Sequence, residues 1–293
     1  MNTTMAAVAH ECRTRGTAVG AFNAILLEHV EAIVAGAEDV GLPVVLQLSQ
    51  NAAEYHGGLA PLARGALAIA EAASVPVIVH LDHADDEALV DEALAVGIRS
   101  VMFDASTADY AENVSRTANV VARCHAVGCW VEAELGEVGG KDGAHAPGAR
   151  TDPDEAAAFV LATGVNALAV AVGSSHAMSS RDAVLDDELI ARLRDAVDVP
   201  LVLHGSSGVP DDGLRAAVHH GITKVNVGTR LNVVMTYQVR RVLAERPELT
   251  DPRAYLAPGR DAIRSEVGRI LRLLADGSGL ETVSASDPDP ARA

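Results

Sequence analysis

A closed parallel barrel of alternating strands and helices is the fold that this 293-residue sequence predicts, and three observations predict it. The first is a repeat. VPVIVHLDHADD from Val75 and VPLVLHGSSGVP from Val199 are apolar runs of β type that break off in His, Asp, Gly or Ser. Pro76 to Gly97 and Pro200 to Gly221 both span 21 positions; the overlay sets His80 on His204 and RSVMFD on TKVNVG. Strand, polar turn, helix and second strand recurring in register indicate parallel βα units. The second observation is that eight such strand runs can be counted. The third is that capped helix signals lie between them. Eight strands alternating with helices make a TIM (β/α)8 barrel, which keeps its chemistry at the C-terminal ends of its strands.

The strand runs, in order, are 18–23, 44–49, 77–82, 100–104, 129–134, 167–172, 201–204 and 223–226. Most are nearly continuous in Ala, Val, Leu and Ile, as strands covered on both faces must be. Several end on a polar group: Asn23, Ser49, Asp82, Asp104, Glu134, His204 and Asn226. Between them, Asp85 or Asp86 can cap DEALVDEALAVG, whose Leu89, Ala93, Leu94 and Val96 form an apolar stripe closed by Gly97. Asp152-Pro153 reads as an N-cap followed by proline in the first turn, opening an Ala-rich helix that stops near Gly164. Residues 136–150, GEVGGKDGAHAPGAR, have no period, and a loop of that length in a compact domain is usually functional. The expected organisation is one domain over 1–280 and a polar tail, 281–293, that does not pack.

Composition narrows the function. With 49% hydrophobic residues the chain can bury a large core, yet aromatics are only 3%. A formal charge of −17 argues against nucleic acid or an anionic membrane as partner, since both attract basic surfaces. A small anionic substrate stays possible, because one pocket can be locally positive. Cys12, Cys124 and Cys129 lack CxxC spacing, so neither a disulfide framework nor a structural zinc knot is expected. The opening MNTTMAAVAHECRTRG has no apolar core of signal-peptide type. These features lead us to expect a cytoplasmic protein.

The motifs GAFNAILLEHVEAIVAGAE, PVVLQLSQNAAEY, VPVIVHLDHADD, VEAELGEVGG, TDPDEAAAFV, NALAVAVGSSH, LVLHGSSGVP, KVNVGT and DPRAYLAPGRDAI, in this order, resemble the class II, metal-dependent ketose-bisphosphate aldolases. These are the fructose- and tagatose-bisphosphate aldolases, and the resemblance runs from about residue 18 to 278. It implies a TIM barrel and reversible cleavage of a ketose 1,6-bisphosphate to dihydroxyacetone phosphate and glyceraldehyde 3-phosphate. It implies zinc on His83, His176 and His204, three neutral imidazoles that leave an open position for a substrate oxygen. Asp104 and Glu134 match acidic residues near that zinc, which either hold a second or displaced metal or orient a zinc histidine; a monovalent cation is a further candidate. Asp82 matches the proton donor, although Asp is also a frequent helix cap.

The resemblance further implies that Asn23 and Ser49 line the substrate pocket and that Asn226 contacts the three-carbon ketone phosphate. Gly205, Ser206, Ser207, Gly228 and Thr229 match the phosphate cradle at the usual phosphate corner of a TIM barrel. A homodimer or homotetramer is the implied assembly. Three departures stand out. Where the family commonly reads GTAHG-x-Y-K, this chain has GSSHAMSSR: Ala177 replaces Gly, Ser179 Tyr and Ser180 Lys, with Arg181 one step on as a substitute for the lysine. In the loop, GGKDG puts Asp142 where the family has the glutamate thought to move the C3 proton. The third zinc histidine is followed by Gly-Ser rather than Gly-Gly.

Two other classes compete. A barrel metal hydrolase usually carries His-x-His on its first strand, and Ala21–Asn23 offers none. A non-catalytic metal-binding barrel is the other; Asp82 beside the three histidines argues against it. A Schiff-base mechanism would need Lys141 or Lys224, the only lysines, in a desolvated site.

Overall fold

A computed structural model describes residues 3–135, 150–174 and 181–276. Asp142, His176 and Ala177 lie outside the described residues, as do Ser179, Ser180 and the 281–293 tail. The eight strands are β1 (Val19–Asn23), β2 (Val44–Ser49), β3 (Val77–Ala84), β4 (Ser100–Phe103), β5 (Trp130–Glu134), β6 (Ala167–Ala169), β7 (Leu201–Leu203) and β8 (Ile222–Val227). All neighbours are parallel, and β8 returns to β1 to close the barrel. The described helices are α1 (Met5–Arg15), α2 (Leu27–Val40), α3 (Gln50–Tyr55), α4 (Ala60–Ala72), α5 (Glu87–Val96), α6 (Tyr110–His125), α7 (Pro153–Thr163), α8 (Asp187–Ala196), α9 (Asp211–His220), α10 (Thr229–Glu245) and α11 (Pro252–Ala275). This is the TIM barrel that the alternation predicts.

The repeat is real in three dimensions. Pro76 and Pro200 each accept, through the carbonyl, the first ladder bond of the preceding strand, from Val44 N and Leu168 N at 3.0 Å. Gly97 and Gly221 both stop a helix by turning their N–H back onto its last carbonyls. Asp86 caps α5 through Ala88 N at 2.8 Å, and Asp152 caps α7 with Pro153 in its first turn. The buried stripe of α5 is centred on Val90 and Ala93, with Leu89, Leu94 and Val96 only partly covered. Strand 167–172 is shorter than its apolar run, because Ala171 leaves the ladder to exchange hydrogen bonds with Thr151: N to Oγ1 at 2.8 Å, O from N at 3.0 Å.

Alternation divides each strand between two environments. Phe22, Leu46, Val79, Leu81 and Phe103 face outward into the helix layer, where Phe159 is also fully buried. Each such large side chain contributes roughly 1.5–3 kcal/mol of burial. The inward set is small: Ala21, Val45 and Ile78 meet α1, and Met102, Ala167, Ala169 and Val202 cluster with Trp130. Between these clusters and the mouth the interior carries an unusual polar level, Gln47, His80, Ser100, Glu132 and Lys224, none more than 1% exposed.

Candidate active site

Ladder register assembles the site. Asn23 pairs with Gln47, Gln47 with His80, Ser49 with Asp82, and Asn226 with Ala21. Asp82 is therefore surrounded by three amides. Asn23 Nδ2 donates to its Oδ2 at 2.7 Å, Gln47 Nε2 to its Oδ1 at 3.0 Å, and Asn226 Nδ2 approaches Oδ1 at 3.5 Å. Burial alone would raise the carboxyl. The charges of His83, His204 and Lys224 and the bond from Asn23 outweigh it and hold Asp82 below its ordinary value. Asp82 is no helix cap; Asp86 takes that role.

Consecutive strand residues normally point to opposite faces, yet Asp82 and His83 both belong to the mouth. The register between β3 and β4 shifts between Leu81 and Ala84, and His83 sits at φ 50. A left-handed, non-glycine residue in a bulge is strained and re-aims its side chain. The shift turns the His83 ring against that of His204, with centroids 4.7 Å apart and planes at 80°. His83 Nδ1 pairs with Asp104 Oδ2 at 2.8 Å. Asp104 also accepts from Ser106 N and Oγ, at 3.2 and 2.6 Å, so it orients the ring.

One ligand atom from each of His83, Glu134 and His204 lies within 4.8 Å of the others. Two imidazole nitrogens and a carboxylate oxygen fit a borderline divalent ion such as zinc. Glu134 Oε2 is 4.0 Å from His204 Nδ1, which puts the glutamate inside the donor cluster. Of the residues expected to hold metal, His83, His204 and Glu134 come together, and Asp104 stands behind them.

The substrate-side residues divide. Asn23 and Asn226 reach Asp82. The Ser49 hydroxyl caps α3, accepting from Ala52 N at 3.2 Å. Gly205, at φ 65, turns the chain into a short 3-10 segment, Ser206–Gly208. Ser206 Oγ bonds to the Asn226 carbonyl, and Ser207 Oγ accepts from Arg230 N at 3.2 Å. That last bond ties this turn to the start of α10, where the N-cap residue Gly228 has no side chain and Ser207 takes the Arg230 N–H instead. Arg181 is bound to Asp211 and, at 3.0 Å, to the Val209 carbonyl. Asp211 in turn joins Arg269, which pairs with Glu266, and Glu266 pairs with Arg230.

Reading the sequence by motif passed over Gln47 and Glu132. The available signal was parity: Gln47 lies two before Ser49 and Glu132 two before Glu134, so each shares its neighbour's inward face. Among the described residues, no helix is long and apolar enough to cross a membrane.

A parallel barrel whose mouth joins a metal-fit donor set to an amide-held carboxylate has the parts of a metal-assisted enzyme with its own proton carrier. The family model described as fructose-bisphosphate aldolase class-II matches residues 3–278, and this chain belongs to that family of aldolases, which are lyases. Among solved structures it is similar to the YdjI aldolase from Escherichia coli K12, at 29% identity and a TM-score of 0.81, over 94% of this chain and 98% of that one. A putative fructose-1,6-bisphosphate aldolase from Coccidioides immitis is 32% identical at a TM-score of 0.81, over 93% and 96%. Fructose-bisphosphate aldolase from Campylobacter jejuni, at 23% identity and a TM-score of 0.76 over 91% and 92%, shares the fold.

Proposed function

We propose that this protein is a zinc-dependent aldolase that reversibly cleaves fructose- or tagatose-1,6-bisphosphate to dihydroxyacetone phosphate and glyceraldehyde 3-phosphate. The carrying observation is the amide-held Asp82 carboxylate next to the His83, Glu134 and His204 donors. A divalent ion held by these donors, with His176 as the further ligand implied by the family, supplies Lewis acidity toward the substrate carbonyl.

In the cleavage direction Asp82, ionised at neutral pH, takes the C4 hydroxyl proton as C3–C4 breaks. In condensation it returns that proton to the aldehyde oxygen. Asn23 and Gln47 each donate to one carboxylate oxygen and so fix the orientation of the Asp82 carboxylate. The turn at Ser206–Gly208 and the start of α10 after Gly228 present backbone N–H groups suited to a phosphate. Asp142 moves the C3 proton in this reading.

A second reading keeps the mechanism but changes the sugar: a different or less phosphorylated ketose. The engagement of Arg181 with Asp211 and Val209 favours it, since Arg181 reaches a phosphate only by leaving them. The test measures dihydroxyacetone phosphate release by zinc-loaded protein from fructose- and tagatose-1,6-bisphosphate, with unphosphorylated ketoses alongside. Turnover of a bisphosphate that disappears in His83→Ala and His204→Ala, together with their zinc, supports the proposal. Full zinc in both variants, or no turnover of either bisphosphate, overturns it.

A further inference from the structure

The barrel interior holds an ion pair that the reaction does not use. Lys224 Nζ lies 2.7 Å from Glu132 Oε2, and the two side chains are 1% and 0% exposed. Barrel interiors are ordinarily filled with apolar layers, and a buried ion pair of this kind is often no more stable than apolar residues of equal volume. Its position shows what it does. Glu132 Oε1 is 3.1 Å from His204 Nε2, on the side of the ring away from the metal donors. His204 Nδ1 is on the side of Glu134.

We propose that Glu132, with its charge compensated by Lys224, is the positioning residue for His204: it holds the ring hydrogen on Nε2 and so presents Nδ1 to the metal. This rests on the metal site proposed above. Two hydrogen placements compete. With Nε2 bare, Asn226 Nδ2, 3.0 Å away, donates to it. The ring hydrogen then sits on Nδ1, facing Glu134, and His204 is no ligand. With the hydrogen on Nε2, Glu132 Oε1 accepts it in a charge-assisted bond, stronger than the one a neutral amide makes, and Asn226 Nδ2 keeps its approach to Asp82 Oδ1. Nδ1 then keeps its lone pair for metal.

Lys224 matters because a carboxylate this deep calls for a paired cation. Asp104 does for His83 what Glu132 does for His204.

The test is the double variant Glu132→Leu/Lys224→Met, which fills the interior with apolar groups of similar size. Long-range 15N–1H spectra of the metal-free protein read the His204 tautomer, and chelator competition reads zinc affinity. The wild type should show Nε2–H; the variant should stay folded, lose that preference and bind zinc about 10–100-fold more weakly. An unchanged tautomer and affinity in the folded variant overturn the proposal. If the variant does not fold, Glu132→Gln/Lys224→Met decides. Its amide oxygen still accepts from Nε2–H, so the tautomer should persist with zinc affinity within about tenfold of wild type. A switch to Nδ1–H there refutes the proposal. Wild-type protein that binds no zinc would sink the metal site itself, while the tautomer still judges the role of Glu132.

Discussion

Asp82→Asn is the substitution that separates chemistry from architecture at this site. The side chains are isosteric, so the cage of Asn23, Gln47 and Asn226 stays in place, but the proton carrier and its charge are gone. A positioned acid or base contributes about 10²–10⁴-fold. At about 1.36 kcal/mol per tenfold, that is roughly 2.7–5.5 kcal/mol of barrier. The structural penalty is smaller. All three neighbours donate, so the new Nδ2 must oppose the Asn23 amide at 2.7 Å or the Gln47 amide at 3.0 Å. One buried donor left unpaired costs about 1–3 kcal/mol. In a chain of this size each kcal/mol lowers Tm by roughly 2–4 °C. The assay combines kcat on the cleaved ketose, zinc content and a melting curve. The expected result is a kcat at least about 100-fold down, with zinc retained and Tm a few degrees lower. Turnover within about tenfold of wild type, with zinc in place, would refute Asp82 as the proton carrier.

Three further expectations follow from the packing and charges. In Gly228→Ala, whose φ of −119 any residue adopts, the new Cβ lies 3.2 Å from Asn23 Oδ1. The resulting shift of Asn23 beneath Asp82 should lower kcat by roughly 3–10-fold with Tm unchanged, as small misplacements do; unchanged kcat would place Asn23 outside the catalytic geometry. In Gly36→Ala the Cβ meets the Arg264 carbonyl at 2.6 Å and Val267 Cβ at 2.9 Å where α2 packs on α11. Denaturant titration should show about 1–2 kcal/mol of destabilisation, overpacking exceeding the gain in helix propensity. Asp211 and Glu266 are both held below their ordinary values: burial opposes this, and the arginines Arg181, Arg269 and Arg230 prevail. A depressed folded-state value gives stability that is present above the unfolded-state value and lost as pH falls through the folded one. Melting temperature should therefore drop below about pH 4, and Asp211→Asn/Glu266→Gln should flatten that drop. An unaltered slope would mean that the network carries no acid sensitivity.

The barrel and the identity of its mouth residues were legible in the chain, because both depend on local chemistry. Apolar runs ending in Asp82, His204 and Asn226, with Asp86, Asp152, Gly97 and Gly221 capping the helices between them, specify strand, turn and helix without reference to distant residues. Parity along a strand also carried Glu132 beside Glu134, although no motif drew attention to it. Three things were decided only by tertiary structure. The β3 bulge with His83 at φ 50 lets two adjacent residues share one site, which strand alternation forbids. Asp104 and Glu134, alike as acids at strand ends, separate in their contacts: Asp104 pairs with His83 Nδ1, whereas Glu134 joins His83 and His204 in a set that could hold a metal. Lys224, 92 positions from Glu132, meets it inside the barrel because ring closure brings β8 across from β5. Such a contact depends on the closed sheet as a whole, and no local pattern encodes the distance across it.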